Sequence, residues 1–137
     1  MGHRKLTKSN RDIKYRKALH KNLVNNLILL EEIKTTFPRA KSIAQIVEKL
    51  ITKAKAKTIP NQRLIAAFLQ NKKTTKKIVD ELGPRYEQRP GGFTRIIRLS
   101  ERLGDAAQMA KIELVDKKTK DEEVKKIKPP KPELKKS

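Results

Sequence analysis

Apolar residues recur at helical spacing in the first third of the chain. The leucines that carry this pattern are separated by four, four and three residues, on one face of a helix, and are Leu19, Leu23, Leu27 and Leu30. Residues 9–12 (Ser-Asn-Arg-Asp) match the capping box with which helices begin. Because the first half of this helix is basic and its second half apolar, we expect only the second half to dock into the core.

A short strand and a long helix are predicted next. Residues 32–36 are rich in β-branched side chains, which favours a strand. Thr36 suits the N-cap of the following helix, and Pro38 falls in its first turn. The apolar positions of this helix recur at spacings of three and four residues and are Ala40, Ile43, Val47, Leu50 and Ala54. This stripe predicts a helix that buries one face.

Two shorter helices follow along the chain. The first begins at Pro60, and its predicted core positions are Leu64, Ile65 and Phe68. The apolar positions of the second are Ile78, Val79 and Leu82. Glycine and proline both interrupt helices, so we expect Gly83-Pro84 to stop this one.

The apolar period changes to two after Gly91-Gly92. Residues 93, 95, 97 and 99 share one face of a predicted strand. Residues 110–114 alternate strictly between apolar and charged side chains, which places Ala110, Ile112 and Leu114 inward. Turn residues at 102–105 predict that these two strands pair antiparallel.

These elements predict an α+β fold with a small sheet and helices packed on one of its faces. The order is helix, strand, three helices and two strands. We expect a basic N-terminal arm at residues 1–8, a globular domain at residues 9–116 and a flexible tail at residues 117–137. The tail contains Lys, Pro and acidic residues with almost no apolar content, so we expect it to be disordered in isolation.

The charge balance indicates the class of partner. The chain carries 35 Lys and Arg against 15 Asp and Glu, a net charge of +20, with +7 in residues 1–22 and +5 in residues 117–137. A protein so far from neutral repels itself unless a polyanion neutralises it. Nucleic acid is the usual polyanion, because phosphate contacts with Lys and Arg release counterions; an anionic membrane surface is the weaker alternative. A globular body with two basic ends suits a protein that threads into folded RNA.

Residues suited to catalysis or metal binding are scarce. The absence of Cys excludes disulfides, cysteine nucleophiles and thiolate metal sites. His3 and His20 lie in basic, polar sequence that does not suit a shielded acid–base site. Gly91-Gly92 precedes a strand rather than a helix, unlike a phosphate-binding loop. We therefore expect no enzyme activity, no metal and no cofactor. No apolar run approaches the ~18 residues of a membrane-spanning helix, so we expect no membrane partner. Because we expect no enzyme activity, we also expect no small-molecule substrate.

A loop bracketed by Gly and Pro at residues 84–92 presents Arg85, Tyr86 and Arg89. Guanidinium groups suit bidentate contacts with phosphate, and a tyrosine ring can stack on an unpaired base. Tyr86 can equally cap the core beneath the loop, and the sequence leaves both roles open.

Four short blocks of residues follow one another along the chain. Each block alone is a weak signal for a protein family, but the ordered set of four is specific. They are His3-Arg4-Lys5; Ile33-Lys34-Thr35-Thr36 with Pro38-Arg39-Ala40-Lys41; Leu82-Gly83-Pro84-Arg85-Tyr86 with Arg89 and Gly91-Gly92-Phe93-Thr94-Arg95-Ile96; and Arg102 with Gly104-Asp105, Met109-Ala110 and Ile112-Glu113-Leu114-Val115. Across roughly residues 3–116, this set resembles the bacterial large-subunit ribosomal protein L17 family. Gly2 stands where the family usually has Arg, and Tyr15-Arg16 replaces a common His-Arg pair.

The resemblance implies the same order of helices and strands that the periodicity predicts. It also implies a structural constituent of the large ribosomal subunit, located in the cytoplasm on the ribosome near the polypeptide exit region. Its partners would be large-subunit rRNA, whose fold it stabilises during assembly and translation, and neighbouring large-subunit proteins. The candidate rRNA-binding residues, taken from the charge pattern and the resemblance together, are Arg4, Lys5, Lys8, Arg11, Lys14, Arg16, Lys17, Arg39, Lys41, Arg85, Tyr86 and Arg89.

Two other functions fit the composition less well. A nucleoid-associated DNA-binding protein shares the basic character but needs a recognition helix, a minor-groove wedge or a dimer seam, none of which is clear in the sequence. An RNA-processing enzyme needs an acid–base or metal set for which the chain offers no candidate.

Overall fold

The computed structural model describes residues 13–116. The predicted arm, the predicted capping box and the predicted tail lie outside the described residues. The elements in chain order are α1 (Ile13–Leu30), β1 (Glu32–Thr36), α2 (Phe37–Lys55), α3 (Ile59–Leu69), α4 (Lys72–Lys77), a π-helical turn (Ile78–Leu82), the short helix α5 (Gly83–Arg85), β2 (Thr94–Glu101) and β3 (Gln108–Leu114). The predicted α+β class and the order of its elements are confirmed.

Three antiparallel strands form one sheet in the order β1-β3-β2. Ile112 of the central strand β3 lies opposite Ile33 of β1 and Ile96 of β2. Ala110, Ile112 and Leu114 are fully buried, so the predicted inward face of β3 is confirmed. The opposite face of the sheet carries Arg95 of β2, whose partner in the register is the outward-facing Glu113.

Helix α2 packs across the buried face of the sheet. All five residues of its predicted apolar stripe are buried, so this prediction is confirmed. Thr36 occupies the N-cap with extended backbone angles but makes no capping hydrogen bond through its side chain. The proline in the first turn therefore favours helix initiation here without help from the threonine hydroxyl.

Three predicted core positions are wrong. Leu30 is 67% exposed, Leu64 is 54% exposed and Phe68 is 36% exposed. Leu30 is the last residue of α1, where the chain turns away into β1, and the buried residues of α1 are Val24, Leu27 and Ile28. Helix α3 buries only Ile65 and Leu69, because only one narrow face of this helix packs against the core.

The prediction that Gly83-Pro84 stops the fourth helix is also wrong. Gly83 has helical backbone angles (φ −53°, ψ −58°), and its N–H donates to the carbonyl of Ile78, five residues earlier. The wider π turn thus passes directly into α5, where Pro84 occupies a first-turn position that needs no N–H donor. Glycine serves close packing here, because a Cβ on Gly83 would lie 3.0 Å from the carbonyl oxygen of Ala54.

Glu31 connects the end of α1 to three other parts of the fold. Its backbone is left-handed (φ 62°), its N–H donates to the carbonyl of Leu27 (2.8 Å), and its carbonyl accepts from the N–H of Leu114 (3.0 Å). Its carboxylate accepts hydrogen bonds from both terminal nitrogens of Arg85 (3.0 and 3.2 Å) and lies 3.1 Å from Nζ of Lys77. One residue therefore ties α1 to β3, α4 and α5.

The electrostatics of Glu31 favour its charged form. Burial by itself would raise the pKa of this carboxyl group, but hydrogen bonds from Arg85 and Lys77 and the charges of both outweigh burial and lower the pKa below its usual value. Arg85 also donates to the carbonyl of Asp116 (3.0 Å), just beyond β3. The ion cluster thus fixes the loop at residues 84–92 to the sheet.

We predict that Gly83→Ala destabilises the protein. The added methyl group must displace the backbone of α2 at Ala54, and overpacking of this kind outweighs the gain in helix propensity, for a net loss of about 1 kcal/mol in the free energy of unfolding. Urea unfolding measures the change. Gly91→Ala is the matched control, since nothing lies within 4 Å of its Cβ position. A Gly83→Ala protein as stable as wild type would contradict the close packing.

We predict that Glu31→Gln lowers the free energy of unfolding by about 2 kcal/mol at pH 7, because it leaves two cations without their buried anion. The pKa of Glu31 is lowered in the folded protein, so its contribution is present above the usual value of 4.5 and is lost as the pH falls through the folded pKa. The difference between wild type and variant should therefore shrink in acid.

Glu32→Gln provides the control for this measurement. Its carboxylate pairs with Lys111 (2.9 Å) but is 48% exposed, against 12% for Glu31. We expect it to cost less than about 0.5 kcal/mol at any pH. Equal effects of the two substitutions in chemical denaturation would show that the Glu31 cluster contributes no more than a surface pair.

Candidate nucleic-acid interface

Charge is unevenly divided between the two parts of the described chain. Residues 13–77 contain 16 basic and three acidic residues, whereas residues 78–116 contain six basic and seven acidic residues. The first part comprises α1 to α4 and the edge strand β1, and the second part supplies most of the sheet. The positive charge that a polyanion would neutralise therefore lies on the helical part of the protein.

Helix α1 contains no acidic residue and presents two rows of basic side chains in its first half. Lys14, Lys17 and Lys21 lie three and four residues apart, on the side that borders α3. Arg16 and His20 lie four residues apart on the neighbouring side. The apolar second half of α1 anchors this surface, since Val24, Leu27 and Ile28 are fully buried.

Positive charges converge where α1 meets the start of α2. The pKa of His20 is lowered first by partial burial and then by the positive charges of Arg16 and Arg39. The buried Nε of Arg16 has no hydrogen-bond partner among the described residues. An anion placed among these groups would relieve their repulsion and could accept the unused hydrogen bond. We call Lys14, Arg16, Lys17, Lys21 and Arg39 the α1 cationic face.

The loop at residues 84–92 is bound to the body of the protein. Arg85 contacts Glu31 as described above, and it also lies 3.9 Å from the carboxylate of Glu81. Arg89 lies 3.7 Å from the carboxylate of Asp116, and its carbonyl accepts a hydrogen bond from Lys55 (2.7 Å). Both arginines thus have acidic partners within the protein.

Tyr86 belongs to the core. Its side chain is fully buried, and its ring lies 5.1 Å from that of Phe93 at an interplanar angle of 59°. The phenol oxygen accepts a hydrogen bond from the N–H of Asp116 (3.1 Å), and burial raises the pKa of Tyr86. Of the two roles that the sequence left open, the structure shows the one beneath the loop, and a fully covered ring offers no face for a base.

The remaining sequence-predicted residues fall into two groups. Arg39 and Lys41 are exposed on the first turns of α2. Arg4, Lys5, Lys8 and Arg11 lie outside the described residues. Contact of any of these side chains with RNA stays a prediction.

Sequence reasoning missed two residues at this surface, Lys21 and Phe68. Lys21 continues the row of Lys14 and Lys17, and its Nζ donates to the side chain of Gln70 in α3's C-cap (2.6 Å). Phe68 was assigned to the core because it is apolar. One signal in the sequence could have indicated that Phe68 is exposed. Helix α3 carries apolar residues on more than one face, whereas a helix that buries a single face needs only one apolar stripe.

Residues 13–116 contain neither a candidate metal site nor a helix that could span a membrane. No group of three or more His, Asp or Glu side chains in this range could hold a metal ion. No helix in the same range is both long enough and apolar enough to cross a membrane.

Comparison with known families agrees with the resemblance noted from the sequence. The family model described as ribosomal protein L17 matches residues 19–115, which include every strand of the sheet and all of α2 to α5. A match over most of the chain shows membership rather than a shared motif. The chain belongs to the ribosomal protein L17 family, whose members are structural constituents of the large ribosomal subunit.

Proposed function

We propose that this protein binds large-subunit rRNA through the α1 cationic face and thereby stabilises the fold of that RNA during assembly and translation. The observation that carries the proposal is the convergence of Arg16, His20 and Arg39 beside a row of lysines on a helix without acidic residues. Family membership supports the ribosomal setting. The role is structural, and it requires no catalytic group.

The geometry of α1 suits contact with RNA phosphates. Its basic half extends from an apolar half that is buried in the core, so the cations are held on a rigid support. A preorganised surface loses little conformational entropy on binding, and each phosphate that it contacts releases condensed counterions. Affinity that arises in this way falls steeply as salt concentration rises.

Other parts of the chain have different roles in this proposal. Arg4, Lys5, Lys8 and Arg11 precede α1 in the sequence and extend its run of positive charge toward further phosphates. Arg85 and Arg89 hold their loop against the body through carboxylate partners within the protein, and contact of these two arginines with RNA stays a prediction. The lysines of residues 117–137 screen phosphate charge near the subunit surface, and neighbouring large-subunit proteins complete the environment on the cytoplasmic ribosome.

We predict that Lys14→Ala/Lys17→Ala weakens binding of the full chain to transcribed large-subunit rRNA by about tenfold at moderate salt. The slope of log affinity against log salt should fall by about one to two, since each phosphate contact contributes roughly one unit. Filter binding across a potassium chloride series measures both quantities.

Lys34→Ala/Arg95→Ala is the charge-matched control for this variant. Both residues are exposed on strands, on the face of the sheet that points away from the helices. We expect its affinity to stay within about twofold of wild type. If the two double variants lose affinity equally, binding follows net charge alone and the assignment to α1 fails.

A further inference from the structure

A groove of about 610 Å³ separates the first half of α1 from α3. Its floor is apolar, and its rim is polar and mostly basic. The floor is formed by Ala18, Ile46, Ala67 and Phe68, and the rim by Lys14, Lys17, His20, Lys21 and Gln70. This volume lies within the range of sites that hold small organic groups.

Phe68 supplies the one phenyl ring in the lining of this groove. It is 36% exposed, whereas Ile65 one turn earlier and the adjacent Leu69 are buried and supply the contacts with the core. The packing of α3 against the protein therefore leaves about a third of Phe68 uncovered. An exposed ring on the floor of a groove can stack against a second planar group.

The two walls of the groove are joined by hydrogen bonds. Lys21 donates to the side chain of Gln70 (2.6 Å), and the amide of Asn25 donates to the carbonyl of Leu69 (3.1 Å). Both bonds link α1 to the end of α3. The groove is thus formed before any ligand arrives, which lowers the entropic cost of binding.

The lining favours a nucleotide over other occupants. Three lysines form the rim, and none of the described residues that line the groove is acidic. An apolar peptide segment would bring no negative charge to the lysines of the rim. Duplex RNA keeps its bases stacked inside the helix, beyond reach of the floor. An unpaired nucleotide has a flat base for the apolar floor and a phosphate for the lysines.

We propose that this groove binds an unpaired base of the RNA, which stacks on Phe68 while Lys14, Lys17 and Lys21 hold the phosphates on either side of it. The inference rests on the proposed function, since it places one specific contact within the same RNA-binding surface. It assigns to α3 a part in recognition, and it predicts a preference for RNA that presents a single-stranded segment.

Three variants of the full chain separate stacking from general apolar contact. Phe68→Leu keeps an apolar side chain but removes the ring, Phe68→Trp keeps a ring, and Leu64→Ala removes an exposed apolar side chain of α3 that does not line the groove. Fluorescence anisotropy would measure their binding to a labelled eight-nucleotide single-stranded RNA and to a blunt-ended eight-base-pair RNA duplex. Thermal unfolding confirms that each variant is folded.

We expect Phe68→Leu to bind the single strand about tenfold more weakly than wild type, with little change for the duplex. Phe68→Trp and Leu64→Ala should retain wild-type binding of both. In a second readout, a 4-thiouridine in the single strand should photocrosslink to the peptide that contains Phe68.

Other results would overturn the inference in distinguishable ways. Equal binding by wild type and Phe68→Leu, with rRNA binding intact, would exclude base stacking and leave the proposed function standing. Tighter binding of an acidic peptide than of single-stranded RNA by wild type, lost in Phe68→Leu, would assign the groove to a protein partner. Failure of the wild-type protein to bind any of the RNAs, including large-subunit rRNA, would overturn the proposed function as well.

Discussion

The ion cluster at Glu31 is the constraint on which the arrangement of this protein depends. A glutamate with a left-handed backbone is sterically unfavourable, at a cost of roughly 1–2 kcal/mol. The conformation persists because the carboxylate lies between Lys77 and Arg85 while the carbonyl accepts from β3. These contacts set the direction in which α1 leaves the sheet. They therefore also set where the basic half of α1 lies relative to the start of α2 and to α3.

The same cluster shows how the protein distributes its few acidic residues. Four carboxylates of the described chain lie next to the sheet or beside the loop at residues 84–92 and pair with arginines: Glu31 and Glu81 with Arg85, Asp116 with Arg89, and Asp105 with Arg102. Few carboxylates lie on the helices, so α1 and the start of α2 carry an excess of positive charge within the described part of the fold. Internal ion pairs thus hold the loop in place, and the proposed function assigns the excess of cations on the helices to binding of a polyanion. In this account, the segregation of charge, more than the total of +20, determines where RNA binds.

The elements predicted correctly from the sequence are those that bury a single face, because their apolar residues then recur with one regular period. The stripe of α2 and the alternation in β3 are clear because each element packs against a single layer. Leu64 and Phe68 were misassigned because α3 is apolar on more than one face, and burial depends on which face meets the core. Gly83 was misread because its helical backbone and its contact with Ala54 depend on tertiary packing. The same holds for the candidate site. The basic rows of α1 could be predicted because their residues are close in the sequence. The carboxylate partner of Arg85 lies 54 residues away, so this ion pair could not be predicted from the sequence.

Sedimentation of the tagged full-length protein from a cell lysate tests the central claim most directly. The lysate would be resolved on a sucrose gradient with and without a wash in moderate salt. If the protein is an rRNA-bound constituent of the large subunit, it should migrate with large subunits and intact ribosomes, and it should remain there after the wash. Recovery at the top of the gradient, or together with chromosomal DNA, would contradict this account.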